Sequence, residues 1–191
     1  MDILTVIFFI LLVILFLSFI FLLIRSKNGR GIAGEIVVRE ELSKLDKLEY
    51  LILNDIHVGK SQIDHIVVSR YGVFVIETKN WSGTIYGRGW DKYWNQYVKG
   101  KNRKISSPYN PKYQNETHIS SLREFLSEYP NLNFISIIAV SGAIERKIYK
   151  DPCIKISEVI DKIYSYKEPV ISSQERDEVY KKLSGLNSLV G

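Results

Sequence analysis

Positions 3–24 carry no charged residue, and Ile, Leu, Val and Phe dominate them. As a helix these residues would extend about 33 Å at about 1.5 Å per residue, close to a bilayer core of about 30 Å. Residues 1–25 are therefore expected to form an N-terminal transmembrane anchor, and residues 26–31 (SKNGRG) a short basic linker. Apolar residues at Ile32, Ile36, Val37 and Leu42, with acids and Arg between them, predict an amphipathic helix over 32–45. Residues 50–54, 61–69 and 73–78 are rich in β-branched residues and read as strands, with Arg70-Tyr71-Gly72 as a hairpin turn. Between residues 83 and 107, Gly alternates with aromatics and bases, which predicts short strands with turns at Gly87-Arg88-Gly89 and at Gly100. Asn110-Pro111 starts a helix, Asn as N-cap and Pro in the first turn, reaching to about Glu128. Residues 134–140 (FISIIAV) read as a buried strand; short helices follow to Tyr164 and, capped by Ser172 or Ser173, to Leu183. Residues 32–191 thus predict one α/β domain with a mixed central sheet flanked by helices.

Composition narrows the class. Beyond residue 24 the chain has the mixed apolar and charged content of a folded domain, so disorder is excluded. A single cysteine, Cys153, excludes a disulfide scaffold and a cysteine zinc site, and reads as a small buried hydrophobe. No repeat period is present. Arg25, Lys27 and Arg30 follow the apolar stretch, and no basic residue precedes it. That asymmetry predicts a single-pass membrane protein with its C-terminal domain in the cytoplasm.

The candidate chemistry lies in the hairpin. Asp64 sits within an apolar strand, and Glu77 and Lys79 close the next. Unpaired buried charge is costly, so these groups need a reason to be there. A two-residue turn at Tyr71-Gly72 would pair Asp64 with Lys79 and set Glu77 opposite Ile66, leaving all three side chains on one face. Two converging carboxylates offer hard oxygen ligands to Mg²⁺ or Mn²⁺, and a neighbouring Lys can hold a water or neutralise charge on phosphorus. A structural ion pair between Asp64 and Lys79 accounts for the same residues. Gln114 and His118 are four apart on the long helix. A helix packed on the sheet would aim both at the acids; an exposed first turn is the alternative. Glu35 on the first helix reads equally as a solvated acid.

Charge is concentrated in one segment. Residues 81–113 hold seven bases and only Asp91 as an acid, a net +6 against +5 for the whole chain. The aromatics interleaved there suit phosphate contacts plus base stacking, with Lys99, Lys101, Arg103, Lys104, Trp81 and Trp94 as candidate nucleic-acid contacts. A hairpin with cross-strand aromatic packing, or a patch facing anionic lipid, fits the same composition.

Gly34-Glu35, the run from Gln62 to Trp81 (QIDHIVVSRYGVFVIETKNW) and Asn110-Pro111-x-x-Gln114-x-x-x-His118 together resemble the nuclease-related domain (NERD) family of the PD-(D/E)XK nuclease-like superfamily. The resemblance covers roughly Gly31 to Leu126, and no core motif position is missing. It implies a restriction-endonuclease-like fold and Mg²⁺-dependent phosphodiester cleavage. It further implies Asp64 and Glu77 as metal ligands, Lys79 as base or charge stabiliser, Glu35 as an auxiliary acid and Gln114 as a substrate-positioning group. The expected activity is that of a membrane-anchored nuclease on nucleic acid, DNA more than RNA. The alternative is a non-catalytic module of the same fold that binds nucleic acid or protein at the membrane.

Overall fold

The computed structural model describes residues 3–25, 27–142 and 144–186, with the side chains of residues 4 and 19–30 excepted. Two helices lead, α1 (Ile3–Arg25) and α2 (Lys27–Leu42). A meander follows: β1 (Leu51–Val58), β2 (Ser61–Ser69) and β3 (Gly72–Asn80). The small strands β4 (Gly83–Arg88), β5 (Asn95–Tyr97) and β6 (Lys104–Ser106) precede α3 (Pro111–Phe125). The chain then forms β7 (Phe134–Ser141), β8 (Ile144–Tyr149), β9 (Cys153–Lys155), α4 (Val159–Tyr164) and α5 (Ser173–Ser184).

The main sheet has strand order β1-β2-β3-β7-β9 and is antiparallel among its first three strands and parallel from β3 to β9, the mixed sheet expected. Period-two alternation along β2 and β3 sorts their side chains onto two cores. Ile66, Val68, Val73 and Val75 pack with Ile119 and Leu122 of α3 and Val179 and Leu183 of α5. Val67, Phe74 and Ile76 pack on the other face with Val38 and Leu42 of α2 and Val159 and Ile163 of α4. Each aliphatic side chain removed from water in these layers contributes about 1.5–3 kcal/mol.

The second sheet, of order β6-β5-β4-β8, continues the first. β3 pairs in parallel with β7 from Val73↔Phe134 to Asn80↔Ser141, and β4 with β8 from Gly83↔Ile144 to Arg88↔Tyr149. The offset is 61 residues in both sheets (134 − 73 and 144 − 83). Two long strands therefore run side by side through a shared bend without changing register. Glycine lets the backbones close there: at Gly142, with φ +91°, a Cβ would stand 2.5 Å from Trp81 O.

Several expectations need correction. Helix α2 begins at Lys27, so the residues read as a linker are helical from 27 onward, and residue 26 lies outside the described residues. A Cβ at Gly34 would lie 2.9 Å from Asn80 Cβ and 3.3 Å from Thr78 Cγ2, so its absence lets α2 rest directly on the end of β3. The buried face of α2 is carried by Val38 and Leu42, while Ile32, Ile36 and Val37 are exposed. The hairpin turn is Arg70-Tyr71, with Ser69 opposite Gly72. This is two positions from the expected register, and an even slip keeps every side chain on its face. Strand β8 was not anticipated. The anchor expected over residues 1–25 lies partly outside the described residues; α1 is one 23-residue helix, and among the described residues no helix is long and apolar enough to cross a membrane.

Candidate active site

The ladder between β2 and β3 ends at His65↔Ile76, and the acids sit immediately beyond it. There the two strands exchange a side chain for a backbone bond, Asp64 Oδ2 accepting from Thr78 N at 2.7 Å. Continuing the register sets Asp64 across from Glu77 rather than Lys79. Glu77 is almost fully buried, its exposure only 2%. Its Oε1 accepts from Lys79 Nζ at 2.5 Å, and Lys79 Nζ donates also to Gln114 Oε1 at 3.0 Å. His118 Nε2 lies 3.3 Å from Glu77 Oε2, close enough for an ion pair but not aligned for a hydrogen bond.

Three elements bring these groups together. The β2–β3 hairpin supplies Asp64, Glu77 and Lys79. Helix α3 supplies Gln114 and His118, fixed by Asn110, whose Oδ1 caps Lys112 N at 3.0 Å and whose Nδ2 donates to Asp91 O at 2.8 Å. One turn on, Asn115 Nδ2 donates to Val75 O at 2.8 Å and to Ser136 Oγ at 2.8 Å, which pins the helix across β3 and β7. Helix α2 supplies Glu35. Two adjoining recesses of about 470 and 500 Å³ share Glu35, Asp64 and Gln114. Lys79 and Trp81 line the first and His118 the second. Asn115 was missed in the sequence, where a polar residue beside Gln114 carries no visible signal.

The proposed nucleic-acid contacts divide. Trp81 lines the groove. Trp94 is fully buried, packed with Ile85, Ile138, Val140 and Cys153, so it is a core residue and not a contact. Lys99, Lys101, Arg103 and Lys104 are exposed around the β5–β6 turn. Lys101 lines a separate cavity of about 510 Å³ with Tyr86, Tyr97 and Lys147. Cys153 is buried, and burial pushes its thiol pKa up, as befits a packing residue.

Electrostatics single out Asp64. Burial first, then the Glu77 and Glu35 carboxylates, push it up to about 7 against the pull of Thr78 N–H and Lys79. Burial would raise Glu77 too, but the His118 contact and the Lys79 ammonium outweigh it and hold Glu77 below the usual carboxylate range. The donor set fits a hard divalent cation. Asp64 faces negative charge that a cation would relieve, and Glu77 Oε2 is buried without a hydrogen-bond partner. Among the described residues no group of three or more His, Cys, Asp or Glu could hold a metal by itself. Mg²⁺ commonly takes only one or two carboxylates and completes its shell with water and phosphate.

His65 projects to the opposite face, where its Nδ1 lies 2.7 Å from Asn54 Oδ1; burial and then Arg39 lower its pKa to about 4. The two shifts act on stability with opposite sign. Asp64, raised on folding, contributes most below about pH 4, and that contribution is lost as the pH rises to about 7. His65, lowered on folding, contributes fully above about pH 6.5, and that contribution is lost as the pH falls to about 4. Metal-free protein is therefore expected to show a shallow stability profile between these limits. Asp64→Asn removes one arm. It should be more stable than the parent by on the order of 2 kcal/mol at about pH 8, and no more stable at about pH 4, in urea unfolding with chelator present. Equal stability of the two proteins at both pH values would refute the raised Asp64.

The uncharacterized protein pXO1-01 of Bacillus anthracis is 45% identical over 104 residues, 52% of this chain and 47% of that protein. The chain thus spans about half the length of that curated relative. No solved structure matches. The family model described as the nuclease-related domain matches residues 30–141, which include α2 from Arg30 onward, the β2–β3 hairpin, α3 and β7. That match takes in every acid and amine of the groove and more than half of the sequence, and the chain belongs to the nuclease-related domain family.

Proposed function

We propose that this protein is a metal-dependent nuclease, held at a membrane by its uncharged N-terminal run of sequence, that hydrolyses phosphodiester bonds in DNA or RNA. The observation that carries the reading is the meeting of Asp64, Glu77, Lys79 and Gln114 in one groove. A Mg²⁺ or Mn²⁺ held by Asp64 and Glu77 would supply Lewis-acid polarisation of a phosphoryl oxygen and a more acidic water. Lys79 places an ammonium where negative charge accumulates on phosphorus, and Gln114 holds that ammonium in position. His118 supports the inner oxygen of Glu77. Glu35 lines both recesses and adds a third carboxylate beside Asp64. The wall opposite, with Trp81, Gln96 and Ser106, gives the substrate an aromatic and polar surface.

The competing reading is a binding module of the same fold without catalysis, and the closed Lys79–Glu77 pair favours it. Cleavage of single- and double-stranded DNA and RNA by the full chain, with Mg²⁺ or Mn²⁺ and then with chelator, separates the two. Metal-dependent products support the nuclease. Binding without cleavage across all substrates and metals leaves the module.

The tether rests on 22 uncharged residues at 3–24, on the single helix they enter and on the basic residues that follow. A cytoplasmic domain predicts that Lys101→Cys, at an exposed turn, is labelled by an impermeant maleimide only after cells are permeabilised. Labelling in intact cells would reverse the orientation.

A further inference from the structure

Five aromatic rings lead away from the lip of the groove, over the loops at Trp90–Tyr93 and Tyr109 and the first turn of α3, to the end of β8. Tyr109 lines the recess that holds Asp64 and Glu35. It stands edge-on to Tyr93 with centroids 5.5 Å apart, and 6.4 Å from Tyr113. The Tyr113 hydroxyl donates to Trp90 O at 2.8 Å, and the Trp90 ring meets Tyr149 edge-on at 5.5 Å. Trp90 is 48% exposed and Tyr149 63%, so these rings belong to no core. Cations accompany the row. Lys92 lies over Tyr93 at 5.9 Å and Lys112 over Tyr113 at 5.6 Å, while Arg88 and Lys150 both lie over Trp90 at 6.0 Å. Two acids stand beside these cations: Asp91 accepts from Arg88 N at 2.8 Å, and Glu116 pairs with Lys112 at 3.8 Å, which leaves Lys92, Arg88 and Lys150 as the main phosphate contacts.

The backbone beneath the row is fixed. Trp94 Nε1 donates to Arg88 O at 2.8 Å, and Asn110 Nδ2 to Gly89 O at 3.1 Å. A Cβ at Gly89 would stand 2.2 Å from Lys150 O, so the loop closes on the end of β8 only because that residue has no side chain. Exposed rings on an immobilised loop present contact area that needs little ordering when a ligand arrives.

We propose that this row is a track for single-stranded nucleic acid, with bases on the rings and phosphates on the cations, leading into the groove. The track deepens the nuclease reading and rests on it for what happens at its inner end. Cations alone would serve a duplex equally well. The rings do not, because bases in a duplex already stack on one another, whereas an unpaired strand is free to lay its bases on protein aromatics. An anionic bilayer would meet the same cations, but a lipid surface gives no reason for the rings to end at a recess beside Asp64.

The test is fluorescence anisotropy of a labelled oligo-dT and of a blunt duplex of the same length, with the full chain in detergent and chelator present to prevent cleavage. Trp90→Ala and Tyr149→Ala should each weaken oligo-dT binding about tenfold, with the duplex changed less than about twofold. Lys150→Glu should weaken both and flatten the salt dependence. Tryptophan emission of the parent should be quenched by oligo-dT, and that of Trp90→Phe much less. If Trp90→Ala perturbs the circular dichroism spectrum, Trp90→Leu and Tyr149→Leu take its place. Unchanged oligo-dT affinity in the ring variants overturns the track, as does an equal loss for the duplex. Loss of binding to phosphatidylserine vesicles with oligo-dT binding intact overturns it too, in favour of a membrane face. The underlying reading fails separately: ring-dependent oligo-dT binding without cleavage under any metal keeps the track and removes the nuclease, and cleavage with ring-independent binding does the reverse.

Discussion

Glu77→Gln is expected to lower metal-dependent phosphodiester cleavage about a thousandfold, with little change in KM. The substitution preserves shape and removes one charge. That charge holds Lys79 Nζ at 2.5 Å and lies 3.3 Å from His118 Nε2, and its buried Oε2 has no hydrogen-bond partner. Losing it should release the ammonium from its place beside Gln114 as well as weaken cation uptake. Lys79→Ala should cost a similar factor while leaving cation uptake intact, because the two carboxylates remain. Single-turnover cleavage at saturating Mn²⁺, paired with calorimetric titration of the cation, distinguishes the two variants. Retention of activity within about tenfold in Glu77→Gln would remove the proposed site, provided the variant's melting curve matches that of the parent.

Trp94→Ala is expected to destabilise the fold by about 3–5 kcal/mol. Trp94 is fully buried at the centre of the small sheet's core and touches Trp81 edge-on at 5.9 Å. It also covers Gly87, where a Cβ would stand 2.3 Å from its ring. Removing the indole opens a cavity between the two sheets and frees Arg88 O from its only side-chain donor among the described hydrogen bonds. The loop that displays Trp90 and Tyr93 would lose its anchor together with the core. Urea unfolding measures the loss. A decrease below about 1 kcal/mol would mean that β4 and β8 are held by something other than this packing.

Much of the site was legible because it is local. Asp64, Glu77 and Lys79 lie on adjacent strands joined by a two-residue turn, and alternation along each strand fixed their common face. The expected register was displaced, yet the displacement was even, so the face survived while the partner of Asp64 changed. Gln114 and His118 followed from helical spacing once α3 was placed by Asn110 and Pro111. What escaped depends on distant contacts. Strand β8 alternates Ile with charged residues, but its partner β4 lies 61 residues earlier, and no local pattern announces it. Trp94 and Trp90 are four residues apart in the same basic, aromatic stretch, and only packing against Gly87, Ile85 and the distant Ile138 and Val140 makes one of them core and the other surface. In α2, two glycines argued for a flexible start, yet the helix begins at Lys27, and the close approach of Gly34 to Asn80 and Thr78 is a distant contact that no local pattern announces.

The constant offset of 61 between β3–β7 and β4–β8 constrains how the chain can vary in length. One extra residue between β7 and β8 would slide β8 against β4 by a single position and turn Ile144 and Ile148 outward, exchanging them with Glu145 and Lys147, and one between β3 and β4 would reverse β4 in the same way. An insertion at residues 81–82 is tolerable only with a compensating insertion at 142–143. Length changes at these two points should therefore arise as matched pairs, and a library that lengthens each bend independently should recover folded clones only along its diagonal.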